Sequence, residues 1–168
     1  MTGIQQMILV GEIALQSQIA QKAAERLRAT HDVFDNVETW CSIQSILVAA
    51  GNVSKILWPS QKYKLRGKKL RELLGVEDNN PLASRKFRNH FEHYDERIEE
   101  WFESNSQGVY IDLAMNPSLR NLHFGMPALN THRGYNSYNN SVVFRGEILY
   151  LDDVLAALDT LAKVCRSY

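Results

Sequence analysis

This chain of 168 residues has few cysteines, no net charge and no long hydrophobic run. No apolar run reaches the ~20 residues that a membrane-spanning helix needs, so we expect no membrane partner. The 19 basic side chains balance the 19 acidic ones, and the formal net charge is zero. The whole molecule therefore has no general attraction for nucleic acid or membrane, and a charged partner must be recognised by a local patch.

The chain has only two cysteines, Cys41 and Cys165, and both lie in apolar stretches with helical spacing. We interpret them as buried thiols in a reducing compartment, in preference to a disulfide. The first residues lack the basic lead of a signal peptide, which favours a cytoplasmic location. Glycine-rich phosphate loops and dinucleotide fingerprints are also missing, so we predict no cofactor.

With 45% hydrophobic residues, the composition is typical of a globular protein, and 168 residues are enough for one buried core. Apolar residues at helical spacing predict about five helices, at residues 4–28, 36–58, 67–74, 81–104 and 154–166. Gly51, inside the second helix, indicates close packing, and Asp152 is a candidate cap for the last helix. Short β-like segments at 109–113, 141–144 and 148–150 flank a long loop, 116–140. The sequence thus predicts one mainly α domain, 1–168, with a loop and β-hairpin insertion at about 106–150 before the last helix.

The segment 86–94 combines an arginine, an asparagine and two histidines at the start of an amphipathic helix. An aromatic and aliphatic seam at helical spacing predicts its buried side: Phe87, Phe91, Tyr94, Ile98 and Trp101. Asn89 and His93 are four residues apart and share the opposite face, which Arg88 flanks. We therefore expect all three polar side chains to point away from the core.

Arg88-Asn89, followed after three residues by His93, resembles the signature of the HEPN superfamily: an arginine, four to six residues and a histidine, often with a polar residue after the arginine. The resemblance implies a helical bundle that forms homodimers and brings two copies of the motif into one cleft. It also implies a metal-independent ribonuclease of toxin–antitoxin, defence or RNA-processing systems, with Arg88, Asn89 and His93 as catalytic residues and an antitoxin as a partner. The chain departs from the pattern at Asp95, where one toxin subclass has tyrosine, in the β-rich segment 106–150, and in its acidic residues beside the motif.

The residue types suit RNA cleavage by the 2′-hydroxyl. That reaction needs a group that exchanges protons near neutral pH, which a histidine such as His93 supplies. It also needs positive charge on the phosphorane oxygens, which Arg88 can provide through its multi-donor fork. Asn89 can hold a phosphate or orient His93. The product would carry a 2′,3′-cyclic phosphate.

Residues 62–71 contain six basic side chains and no acidic one. Together with a basic residue close to the motif, they are candidate RNA-binding residues: Lys62, Lys64, Arg66, Lys68, Lys69 and Arg85. Such contacts would be non-specific and salt-sensitive. The alternative is a solvated loop and helix face.

Three other interpretations of the motif remain open. Arg88 and Glu92 are four apart and can form a simple helical ion pair. His90 and His93 have half of a metal-site spacing, but the first two helices offer no matching histidine, so we predict no metal. The main alternative to a ribonuclease is a non-catalytic HEPN-like helical protein that binds RNA, a nucleotide or a partner protein.

Overall fold

A computed structural model of the protein describes residues 2–33, 35–104, 109–117 and 131–168. These residues form six α-helices and one four-stranded sheet, so the fold is mainly helical as predicted. The helices are α1 Gly3–Ala29, α2 Asn36–Leu57, α3 Lys64–Leu74, α4 Lys86–Glu92, α5 Tyr94–Ser104 and α6 Leu151–Cys165. The strands are β1 Ala114–Met115, β2 Arg133–Asn136, β3 Ser141–Phe144 and β4 Glu147–Tyr150. The chain divides into two compact units, Met1–Arg88 with Asp153–Tyr168, and Asn89–Asp152.

The first unit is built on a pair of long helices, α1 and α2. Thr2 caps α1 in a reciprocal capping box with Gln5, and Asp35 caps α2 through the Glu38 N–H. Buried alanines and Ser17 on α1 let α2 approach closely. The Thr39 hydroxyl on α2 donates at 3.1 Å to the hydroxyl of Thr30, the residue that follows α1. Both helices follow the predicted bounds within one residue.

The shorter helix α3 covers the C-terminal end of α2. Arg66 and Arg71 donate to the carbonyl oxygens of residues 55–57, which lack partners inside α2. Gly67 makes this approach possible, because a Cβ there would lie 2.3 Å from Cδ of Pro59. Gly75 ends α3 in the left-handed conformation at φ 63°.

The predicted helix 81–104 is divided, and this raises the helix count from about five to six. A 3₁₀ turn at Pro81–Ala83 precedes α4, and α4 ends at Glu92, immediately before α5 begins at Tyr94. His93 lies between the two helices. The predicted seam is correspondingly interrupted: Phe87, Phe91 and Trp101 are buried, whereas Tyr94 is exposed.

The second unit contains the sheet, in the order β1-β2-β3-β4. Strands β3 and β4 form the predicted hairpin, joined by Arg145 and Gly146, both at positive φ as a type I′ turn requires. β2 pairs with β3 antiparallel and with β1 parallel, so the hairpin belongs to a larger sheet. Its core includes Trp101, Tyr135 and Phe144.

Several sequence predictions were wrong in detail. Residues 133–136 form a strand inside the predicted loop 116–140, of which residues 118–130 lie outside the described part. The last helix begins at Leu151, so Asp152 is inside it and does not cap it. Cys41 is exposed and only Cys165 is buried, although both are free thiols as predicted. In the described ranges no helix has the length and apolar character to cross a bilayer.

Candidate functional site

Arg88 is packed against a glycine of α2. A Cβ built on Gly51 would lie 2.2 Å from Cδ and 3.0 Å from Nε of Arg88, whereas contacting carbon atoms normally stay about 3.5–4.0 Å apart. The missing side chain at Gly51 thus opens a slot on α2 that holds the stem of Arg88. The arginine is half-buried, and the prediction that it points outward was wrong.

Asn89 and His93 are both exposed, as the helical spacing indicated. The His93 N–H donates to the Asn89 carbonyl oxygen at 3.0 Å, which places the two residues one helical turn apart. The carbonyl oxygen of His93 in turn accepts from the N–H of Arg97 at 3.2 Å. His93 is therefore anchored through its backbone at the α4–α5 junction, with about half of its side chain open to solvent.

An acidic helix face surrounds His93 within its own unit. The Glu96 carboxylate lies 3.5 Å from Nδ1 of His93. Five carboxylates of α5 line a shallow surface hollow: Asp95, Glu96, Glu99, Glu100 and Glu103. The charge of one of them, Glu100, is balanced by two arginines: hydrogen bonding from Arg97 lowers the pKa of this carboxyl group, and Arg145 lies 3.4 Å away. Glu96 can orient the imidazole through Nδ1 and leave Nε2 for a substrate, in the manner of carboxylate–histidine pairs.

The predicted RNA-binding residues differ in how far their side chains are exposed to solvent. Lys62, Lys64, Lys68 and Lys69 are exposed on α3 and the turn before it, where Tyr63 is also about half exposed. Arg66 instead caps α2 and lies 5.1 Å from the ring centre of Tyr63. Arg85 is half-buried just before α4. The exposed lysines therefore form the basic surface of the first unit, and Arg66 has a structural role there.

His90 is not an exposed partner of His93. Its ring stacks on Phe144 at 4.1 Å between centroids, and only 13% of its side chain is exposed. Among the described residues there is no group of three or more histidine, cysteine, aspartate or glutamate side chains that could hold a metal ion. The His90 and His93 spacing thus reflects one core residue and one surface residue.

The sequence did not single out a buried polar cluster in the second unit. Arg133 forms a two-pronged ion pair with Asp112, at 2.9 and 2.6 Å, which lowers the pKa of Asp112 against the effect of burial. His132 is fully buried beside Tyr110 and Phe144, and burial lowers its pKa to about 4. In the described part of the chain, neither ring nitrogen of His132 has a hydrogen-bond partner. These residues lie in or beside the predicted loop, where a polar composition hid their burial; His123, from the same loop, is outside the described residues.

Comparisons of this chain with protein-family models, with curated proteins and with solved structures gave no match.

Proposed function

We propose that this chain is a metal-independent endoribonuclease of the HEPN type, acting as a homodimer in whose cleft two copies of Arg88, Asn89 and His93 meet. The observation that carries the proposal is the contrast between a half-buried Arg88, held in the Gly51 slot, and an exposed His93 with Asn89 one turn away. An arginine fixed by packing loses little freedom when it binds a phosphate, which favours recognition over simple solvation.

The proposed reaction is an in-line attack of a ribose 2′-oxygen on the adjacent phosphorus. One His93 accepts the proton of the 2′-hydroxyl as the new O–P bond forms. The other His93, protonated, gives its proton to the 5′-oxygen as the P–O5′ bond breaks. Arg88 stabilises the negative charge that develops on the phosphorane oxygens. The products are a 2′,3′-cyclic phosphate and a 5′-hydroxyl, with no net proton consumed.

The remaining residues have supporting roles in this proposal. Glu96 orients the imidazole of His93 from Nδ1, and Asn89 donates to a phosphate oxygen or to the neighbouring ribose. The exposed lysines Lys62, Lys64, Lys68 and Lys69 contact the RNA backbone without reading its sequence. A toxin or a defence enzyme of this kind would be held inactive by an antitoxin protein.

The test is cleavage of a single-stranded RNA, with and without a chelator, by the wild type and by Arg88→Ala and His93→Ala. We expect the wild type to release fragments ending in 2′,3′-cyclic phosphate in both conditions, and each variant to be at least about 100-fold slower. Arg28→Ala and His31→Ala are matched controls, since both are exposed on the first unit outside the motif. A wild-type protein that cuts no RNA, or one that needs a metal, would overturn the proposal.

The second candidate function is a non-catalytic RNA-binding or protein-binding helical domain. One observation favours it: the carboxylates around His93 repel phosphate. In that case RNA binds to the lysines of the first unit without being cut, and Arg88→Ala lowers stability and leaves RNA affinity unchanged.

A further inference from the structure

Helix α1 is apolar on two opposite faces. One face is buried in the first unit through Val10, Ile13, Ala20 and Leu27. The other carries large apolar side chains that remain in solvent: Ile4 (72% exposed), Met7 (67%), Ile8 (65%), Leu15 (49%) and Ile19 (40%). We call the surface formed by these five residues and by Gly11, which lies between them, the α1 stripe. A helix that is apolar all round is normally covered on both sides.

The α1 stripe is also almost free of charge. From residue 2 to residue 21 the only ionisable side chain is Glu12, which accepts a hydrogen bond from Gln16 at 2.7 Å. The stripe continues for four turns, about 22 Å from Ile4 to Ile19. A contiguous exposed patch of this kind marks an interaction surface, because scattered single residues are the norm elsewhere on a protein.

The spacing along the stripe is self-complementary. Gly11 lies near its midpoint, and no side chain or other element among the described residues comes within 4 Å of the position where a Cβ would be. If a second copy packs antiparallel across Gly11, Ile4 meets Ile19 and Ile8 meets Leu15. The twofold axis passes near Gly11, so the same contacts occur on both sides of it. Such a symmetric contact uses the same patch on both subunits, and the glycine allows the helix axes to approach. Antiparallel packing also pairs opposite ends of the two helix dipoles.

Both sides of the stripe offer room for the side chains of a partner. A cleft of about 440 Å³ beside its first half is lined by Gln5, Ile8, Leu9, Tyr63 and Arg66. A second cleft, about 550 Å³, runs beside its second half, where its lining includes Leu15, Ile19 and Ala162. Both belong to the first unit. With these clefts, the surface open to contact is wider than one line of side chains. A stable interface buries about 800 Å² on each partner.

We infer that the α1 stripe is the surface through which two copies of this chain form a homodimer, with their α1 helices antiparallel and crossing near Gly11. The inference rests on the proposed function in that a homodimer is required there, while the surface itself is inferred from the α1 stripe alone. It is tested without RNA, so a failure here and a failure of RNA cleavage are separate results.

The first experiment measures mass in solution by light scattering at micromolar concentration for the wild type, Ile8→Glu and Leu15→Glu. We expect a wild-type dimer and monomeric variants, with thermal midpoints of the variants no higher than that of the wild type and unchanged helical circular dichroism. Val37→Glu is the matched control, since Val37 is 80% exposed on α2 outside the stripe, and it should remain dimeric. A monomeric wild type, or dimers that survive both substitutions, would overturn the inference.

The second experiment tests the orientation by disulfide trapping in a Cys41→Ser background, which removes the exposed native thiol. Ile4→Cys mixed with Ile19→Cys should cross-link, and Ile4→Cys alone should not. The reverse result would show a parallel pair and overturn the antiparallel arrangement. A monomer that instead binds lipid vesicles through α1 would overturn the homodimer itself.

Discussion

Gly51 and Arg88 form a pair in which the absence of one side chain creates the site of the other. In a helix interior, alanine is favoured over glycine by about 1 kcal/mol, so Gly51→Ala would ordinarily stabilise α2. Here the new methyl group would lie 2.2 Å from Cδ of Arg88, and we expect a net loss of about 1–3 kcal/mol from overpacking. Once Arg88→Ala has removed the stem, the same Gly51→Ala change should stabilise the protein by up to about 1 kcal/mol.

The measurement is a double-mutant cycle by urea unfolding, followed through helical circular dichroism. Equal effects of Gly51→Ala in both backgrounds would show that the two positions are not coupled. If the proposed function holds, Gly51→Ala also slows RNA cleavage while leaving Arg88 in the sequence. That result would show that cleavage depends on where the Arg88 guanidinium lies, and not only on whether an arginine is present.

His132 contributes a pH dependence at the residue scale. It is fully buried, and burial lowers its pKa from 6.5 to about 4. The titratable groups near it are Asp112, Arg133, Arg145 and His90. Between pH 6.5 and 4 the unfolded chain binds a proton there that the folded chain does not. Stability should therefore fall as the pH is lowered through this window, by at most about 1.4 kcal/mol per pH unit.

His132→Leu should remove this component, so the wild type loses stability relative to the variant between pH 6.5 and 4. The check is urea unfolding of both proteins at about pH 7, 5.5 and 4.5, with His31→Leu, an exposed histidine, as the control. Carboxylates that do not interact with His132 cancel in the difference, whereas Asp112 interacts with it and contributes to the measured component. A difference that stays constant with pH would contradict the assignment.

At the scale of elements, the predictability of the fold followed the strength of the local pattern. Helices α1 and α2 and the hairpin of β3 and β4 were predicted nearly to the residue, since long periodic stretches and positive-φ turns are locally encoded. Strand β2, Arg133–Asn136, was missed because its glycine, tyrosine and asparagine look like loop. It becomes a strand through pairing with β3, across the short turn of residues 137–140, and with β1, which lies about 20 residues earlier in the sequence.

The candidate site shows the same limit. Helical spacing alone placed Asn89 and His93 together on an exposed face. It could not show that Arg88 enters the Gly51 slot, because that contact joins two residues far apart in the sequence. The division at His93 was also invisible, since the seam residues continue at helical spacing through the break. Tertiary contacts decided each of these features.

The basic surface on α3 gives a prediction at the element scale. Lys62, Lys64, Lys68 and Lys69 are exposed, although Glu72 lies 3.7 Å from Lys68. If they bind phosphates of single-stranded RNA, replacing all four by alanine should weaken binding uniformly across sequences. The slope of log affinity against log salt should become shallower by about 0.7 for each phosphate that is no longer neutralised by a lysine.

Binding would be measured by fluorescence anisotropy with His93→Ala protein, so that the RNA stays intact. The control replaces Lys22 and Lys163, which are exposed on α1 and α6 and paired with carboxylates. An unchanged salt slope in the four-lysine variant would show that the surface is a solvated helix face. A weakening confined to one RNA sequence would instead indicate base recognition.

At the scale of the whole molecule, a homodimer formed through the α1 stripe couples folding to concentration. Unfolding a dimer releases two chains, so dilution favours the unfolded state. With an unfolding enthalpy of about 0.7 kcal/mol per residue, each tenfold rise in protein concentration should raise the thermal midpoint by about 2 °C. Ile8→Glu should remove this dependence, because the introduced charge prevents the two chains from associating. Unfolding of the remaining monomer does not change the number of chains, so its thermal midpoint is independent of concentration. Calorimetry of both proteins over a roughly hundredfold range checks this, with Val37→Glu expected to behave as the wild type does. A wild-type midpoint that does not move with concentration would mean that α1 keeps its apolar outer face in water, and that the proposed cleft of two Arg88–His93 motifs does not form through this surface.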